Sequence, residues 1–457
     1  MLAWTGPALV SLLLSGSMIG RTSWGRDELA TWEFAHLSVP DLFRAVHHID
    51  GVLAPYYLLM HLWSVGGYGV VWMRLPSVLA VAVAVAVAAR AAYRAWGFWA
   101  GLLTGTALAL HPVVAAEAVE ARPYALVLML CTIATVEALA PGPLRRRRYA
   151  AVMAAATVLH LFACLVVVAH VLIRRRRDLM APAAVVAVVA LPLALVAHAQ
   201  RIALAWLGPA TADTSIRVLR AVSAPGDYLW ILLGALAVIV VGRARDQARR
   251  AAAPAVALVL APFVLLVVAS HLLSPVLDAR YLVAAPLGAA VVVGGAAGVV
   301  RRRPWLAAVI TVAVCAAAVP GVRAVHRPRI DGADYPGLAR ILAREAAPGD
   351  GLEVAIRRSE GGTAAGVAYY IGDHAFLDDI IDGLPDGAPL TYRREFAGPG
   401  RTVPASGPRS TTWLVAVAGT TPAHDAVQRL LDDGCRIVGD HALGELVLYQ
   451  ARCDHLP

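Results

Sequence analysis

Arg21–Asp50 reads RTSWGRDELATWEFAHLSVPDLFRAVHHID and begins directly after the uncharged, apolar stretch Leu2–Gly20. It carries Asp27, Glu28, Glu33, His36, Asp41, His47, His48 and Asp50. Carboxylates and imidazoles held beside a bilayer are costly, and function is the usual reason they are there. Leu2–Gly20 reads as a first membrane span. A secretory leader is the competing reading. The start of the stretch carries no basic residue, and no small-x-small cleavage site is convincing, so a retained span is favoured.

The rest of the chain agrees with a membrane setting. Of its 457 residues, 59% are hydrophobic and 16% charged, with a mean hydropathy of +0.66. Soluble domains carry about a quarter charged residues. The formal charge of +9 does not point to nucleic acid, because the arginines come in short runs at 145–148, 174–177, 243–250 and 301–303, between apolar stretches. Such runs mark cytoplasmic loops. Apolar stretches at 72–92, 98–113, 124–140, 149–173, 179–197, 228–241, 252–270, 281–300 and 304–320 then give, with the first span, an α-helical polytopic membrane protein of about 11 membrane segments.

Two stretches resist a simple reading. Residues 149–173 have an arginine run at each end, so the stretch is one span that breaks the charge rule or two half-length helices turning near His160. About 25 residues make only ~38 Å of helix, and a short hairpin survives in a membrane only when protein shields it. Pro55–Trp63 is too short to cross and reads as an interfacial or re-entrant helix. Three polar segments, 21–50, 111–124 and 271–281, then face one side of the membrane, taken as the outside.

Past residue 320 the chain turns polar and mixed, which divides it into 1–320, the membrane part, and 321–457, a small extracytoplasmic α/β domain. Helical spacing over Tyr335–Ala346 precedes extended LEVAI (352–356) and TWLVAVAG (412–419), a helix over 423–433, and a hairpin of CRIVGD and ELVLYQ. Cys435 and Cys453 fall on the hairpin strands, where a disulfide would persist outside the cytoplasm. Cys131, Cys164 and Cys315 lie in apolar stretches and read as small core residues. No zinc-type spacing or phosphate-binding glycine loop occurs.

The candidate chemical residues follow from the outer segments. Asp27 and Glu28 are placed as general bases for an incoming hydroxyl, or as a charge pair at a helix start. His47, His48 and Asp50 could hold a phosphate or a metal. Glu117 and Glu120 share a face if helical, with Arg122 and Tyr124 beyond them, and Arg122 either serves a ligand or pairs with one of the glutamates. Arg280 and Tyr281, after Asp278, suit bidentate phosphate contact or an interfacial anchor. His160 and His170 line a cavity or are hydrogen-bonded within the bundle.

In chain order, the acidic pair, PYYLLMHLW, MRLPSVLAV, HPVVAAEAVEARPYALVLML, LHLFACLVVVAH and ARYLVAAPL resemble bacterial members of the GT-C superfamily. These are polytopic glycosyltransferases that draw a sugar from a polyprenyl-phosphate donor, similar to protein O-mannosyltransferases and the aminoarabinose transferase. The resemblance implies an inverting transfer of a hexose, mannose-like, to an extracytoplasmic acceptor (glycan, lipid or protein) at a bacterial plasma membrane. It makes Asp27 the base, with Glu28 in the same pair, sets Glu120 and Arg122 in the second outer-loop motif, and gives Arg280–Tyr281 to the donor phosphate. Relatives usually carry His-Pro-Pro before the Tyr-Tyr pair. HHIDGVLAPYY departs from that, so His48 matches only loosely. The donor lipid is the one cofactor-like partner implied, and no divalent metal is indicated. Two other classes compete. A lipid or polysaccharide flippase would show paired, similarly interrupted halves. A membrane scaffold would bind through its outer domain.

Overall fold

The computed structural model describes residues 1–174, 177–204, 207–223, 235, 245–299, 303–326, 333–356, 361–371, 390–398, 401–404 and 411–453. The chain forms two compact units. Met1–Gly20 and Ser38–Arg327 make the first, and Arg21–Leu37 joins Pro328–Pro457 in the second.

The first unit is helical. Its helices are α1 (Leu2–Met18), α3 (Val39–His48), α4 (Ala54–Trp63), α5 (Val70–Trp96), α6 (Phe98–Ala109), α7 (Pro112–Glu117), α8 (Tyr124–Leu139), α9 (Arg146–Leu159), α10 (Cys164–Arg174), α11 (Met180–Ala199), α12 (Ala212–Ser223), α13 (Arg245–Leu272), α14 (Ala285–Val299) and α15 (Pro304–His326). Helix α2 (Arg26–His36) belongs to the second unit. Val70–Trp96, Arg177–Ala199, Ala253–Leu272 and Pro304–Arg323 are long and apolar enough to cross a membrane, and five shorter apolar helices accompany them.

Small residues set the packing. A Cβ on Gly294 of α14 would lie 1.9 Å from Thr104 Oγ1 and 2.8 Å from the Ala100 carbonyl of α6. One on Gly105 would come within 2.6 Å of Pro7 in α1. Without a hydrophobic drive between helices in lipid, such close backbone approach supplies the van der Waals contact that holds them. Alanines and valines of α5, α6, α8 and α14 form the core around these crossings.

The stretch 149–173 takes one of its two expected forms, two helices, α9 and α10, broken where His160 turns extended (φ −157°, ψ 114°) and a 3-10 turn, Leu161–Ala163, follows. Other boundaries differ from the sequence reading. The expected 98–113 span stops at Ala109, and Pro112 starts a separate short helix. Helix α15 continues through Pro320–Gly321 to His326, beyond the expected boundary at 320. Gly321 is needed there because a Cβ would strike Pro112 at 2.3 Å. The expected segment 228–241 lies outside the described residues except for 235, and so do parts of the runs at 174–177 and 301–303.

The second unit is α/β. Strands β1 (Gly351–Ile356), β2 (Leu390–Gly398), β3 (Arg401–Pro404), β4 (Thr411–Val417), β5 (Cys435–Leu443) and β6 (Leu446–Cys453) form one sheet in the order β3-β2-β1-β4-β6-β5. Only β1 and β4 run parallel among these neighbours. Helices α16 (Tyr335–Glu345), α17 (Gly361–Ile371) and α18 (Thr421–Asp432) complete it. The β5–β6 hairpin turns through Gly444 at φ 74°, the left-handed conformation that two-residue hairpin turns demand. Its open end is closed by the Cys435–Cys453 disulfide, on cross-strand partners. Buried Glu353 on β1 accepts from Arg429 of α18 at 2.8 Å.

Candidate active site

In the first unit, a polar chain forms where the residues around Asp50 and Tyr57 meet the 111–124 loop. The Asp50–Gly51 turn separates α3 from a short 3-10 helix, and Asp50 adopts φ 56°. Gln200, at the end of α11, fixes that turn. Its Oε1 accepts from the Gly51 N–H at 2.7 Å, and its Nε2 donates to the Val46 carbonyl at 3.0 Å and the His47 carbonyl at 3.1 Å. A side chain on Gly51 would strike Val196 and the Val46 carbonyl, each 2.8 Å away. So held, Asp50 Oδ2 accepts from the Tyr57 hydroxyl at 2.8 Å, and Arg122 Nη1 donates to that hydroxyl oxygen, Tyr57 Oη, at 3.4 Å.

Tyr57 is fully buried and Arg122 is 7% exposed. Burial, and then the Asp50 carboxylate, push the Tyr57 phenol well above the usual tyrosine range, with Arg122 opposing. The hydroxyl therefore stays protonated, donating to Asp50 while accepting from Arg122.

Arg122 sits in the turn between α7 and α8. Pro123 excludes helix from the residue before it, and Ser77 Oγ of α5 pins the turn by donating to the Glu120 carbonyl at 2.5 Å. Helix α7 ends at Glu117, so Glu117 and Glu120 do not share a helix face as expected. Both are buried, at 4% and 8% exposure.

Beyond Arg122 lies an aromatic floor. The His160 ring stands 5.2 Å from Tyr124 and 5.2 Å from Tyr281, and Phe162 is 4.9 Å from Tyr281. The break at His160 turns that ring toward both tyrosines. A cavity here is lined by His160, Phe162 and Tyr281 together with apolar residues such as Val127, Pro262 and Val283. Arg280 and Tyr281 lie on the 3-10 turn Ala279–Leu282, whose first N–H groups include Arg280 N–H donating to Asp278 Oδ1 at 2.8 Å.

His48 and His170 have other surroundings within the first unit. His48 is exposed at the end of α3, its ring 5.4 Å from His47. His170 is buried and hydrogen-bonded to Thr135 Oγ1 (3.0 Å) and Tyr149 Oη (2.8 Å), deep among apolar helices. In the second unit, Asp27 and Glu28 open α2. Glu28 is buried and its Oε2 accepts from the Gly25 N–H at 3.0 Å, closing the helix start. Asp27 is half-buried. Sequence reasoning missed Gln200, because a lone glutamine after an apolar run carries no spacing signal. It also overlooked Tyr57 as the link between Asp50 and Arg122.

Solved structures decide the fold. ArnT from Cupriavidus metallidurans in the apo state superposes with a TM-score of 0.60 at 15% identity, over 98% of this chain and 97% of that one. The same protein bound to undecaprenyl phosphate superposes with a TM-score of 0.54 at 15% identity, over the same shares of each chain. The chain has the ArnT fold. No family model matches it, and no curated protein does. The described residues are mostly helical and end in a small sheet, the coarse architecture expected from hydropathy and patterning.

Proposed function

We propose that the chain is an integral-membrane, inverting glycosyltransferase that moves a hexose, mannose-like, from a polyprenyl-phosphate donor to an acceptor outside the cytoplasm. The observation that carries this reading is the Asp50–Tyr57–Arg122 chain beside an aromatic floor, which offers a buried guanidinium to an anion and ring faces to a sugar. A fold shared with a protein bound to undecaprenyl phosphate supports it, as do the motifs that resemble polyprenyl-phosphate-dependent transferases.

In this mechanism Asp27 takes the proton of the acceptor hydroxyl. The acceptor oxygen attacks the anomeric carbon from the face opposite the phosphate, and the bond from that carbon to the phosphate oxygen breaks. The departing polyprenyl phosphate carries the charge, which Arg122 and Arg280 neutralise. Glu117, Glu120, Tyr124 and Tyr281 serve the sugar, with His48 assigned to its periphery. Glu28 shapes the turn in front of Asp27. The prenyl tail remains in lipid throughout, so the reaction needs no nucleotide fold.

The test is transfer of radiolabel from a panel of undecaprenyl-phosphate-linked sugars in membranes bearing the protein. Label should pass to an acceptor with the wild type and not with Asp27→Asn at equal abundance. Label that crosses the bilayer without transfer to any acceptor contradicts the reading and favours a flippase.

A further inference from the structure

Helix α2 carries Asp27 and has only 11 residues. Isolated helices shorter than about 12–15 residues are marginal in water, so the aim of α2 is set by what it packs on. Within the second unit it packs on α17. The Tyr369 ring stands edge-on to Trp32, 5.0 Å away at 90°, and to Trp24, 5.7 Å away at 84°. Tyr370 Oη accepts the Trp24 backbone N–H at 3.0 Å, and its ring stacks on Tyr335 at 5.9 Å. Gly366 on α17 admits Tyr335, since a Cβ there would lie 2.4 Å from that ring.

Trp24 and Trp32 flank Asp27 in sequence and are 2% and 0% exposed. Tyr369 therefore touches the chain on both sequence sides of Asp27, at Trp24 and Trp32, while Tyr370 holds Trp24 just ahead of α2. We propose that Tyr369 and Tyr370 are positioning residues for Asp27: the C-terminal domain, through α17, sets the orientation of the base. This inference rests on the reading of Asp27 as the base. It assigns the C-terminal domain a part in the chemical step, beyond that of a binding module.

Edge-to-face pairs add attraction beyond area burial, and a reacting group displaced by about 1 Å can lose about a hundredfold in rate. The experiment compares Tyr369→Ala, Tyr369→Phe and Tyr370→Phe in full-length protein, using whichever labelled undecaprenyl-phosphate sugar the wild type transfers. Tyr369→Ala should lower kcat about tenfold to a hundredfold while the KM for that donor stays unchanged. Tyr369→Phe keeps the ring and should restore kcat, and Tyr370→Phe should show a smaller loss. Amide hydrogen exchange should quicken in residues 21–37 of Tyr369→Ala and nowhere else in the second unit.

Full kcat in Tyr369→Ala overturns the proposal, as does a loss matched by faster exchange across the whole sheet or a change confined to KM. An active Asp27→Asn protein removes the base assignment itself. An inactive Asp27→Asn protein beside a fully active Tyr369→Ala protein removes the positioning role alone.

Discussion

Tyr57 is the residue through which Asp50 and Arg122 meet, donating to one and accepting from the other. Tyr57→Phe keeps the ring and deletes both hydrogen bonds. Leaving buried polar partners unsatisfied costs about 1–3 kcal/mol, so the variant should raise donor KM and lower thermal stability, read by transfer kinetics and a melting curve. The pH dependence has a definite sign. Because burial raises the folded pKa of Tyr57, its contribution to stability is full below the ordinary tyrosine pKa of about 10 and is lost as pH rises beyond it. The melting temperature should therefore fall more steeply from pH 9 to 11 in Tyr57→Phe's parent than in the variant itself. Equal slopes would remove the buried phenol from the account. At Arg122, replacement by lysine keeps the charge but loses the planar fork, and donor KM should rise.

Glycine at position 294 controls how closely α6 and α14 approach, given the 1.9 Å that would separate its Cβ from Thr104 Oγ1. Gly294→Leu should cost about 1–3 kcal/mol through overpacking, measured as lost thermal stability in detergent, and unchanged stability would contradict the packing described here. Much of the element pattern was legible in the residues. Helix α16, strands β1 and β4, helix α18 and the β5–β6 hairpin fall where periodicity and turn residues place them. Hydropathy marked most apolar helices, since burial in lipid and burial in protein demand the same side chains. The arginine runs at both ends of 149–173 allowed a turn near His160 but left one unbroken span open, and the ring contacts of His160 with Tyr124 and Tyr281 come from distant segments. Spacing could not foresee that α7 would stop at Glu117, or that Gln200 would clamp the Asp50–Gly51 turn. Those features are fixed by long-range hydrogen bonds, which leave no local period. Around the candidate site, the sequence led one to expect the 111–124 and 271–281 segments near each other, but not that His160 would stand between Tyr124 and Tyr281.

At the scale of the whole molecule, the first-loop helix α2 and the C-terminal residues make one unit, while the remaining helices make the other. The Cys435–Cys453 bond staples the sheet of that unit. If the domain lies outside the cytoplasm, alkylation of intact cells should leave both thiols blocked until a reductant is added. Reduction should also lower the stability of the sheet by about 2–4 kcal/mol. Free thiols in freshly prepared membranes would place the domain on the reducing side. The central claim remains a single chemical one, that a carboxylate on α2 takes the acceptor's proton as a polyprenyl phosphate departs. The most direct measurement is the rate of label transfer from undecaprenyl-phosphate-linked sugar by the wild type and by Asp27→Asn, in membranes holding equal amounts of folded protein. The wild type should transfer label, and the variant should lose at least about a hundredfold, the scale of one general base. An Asp27→Asn protein that transfers at the wild-type rate would contradict the account.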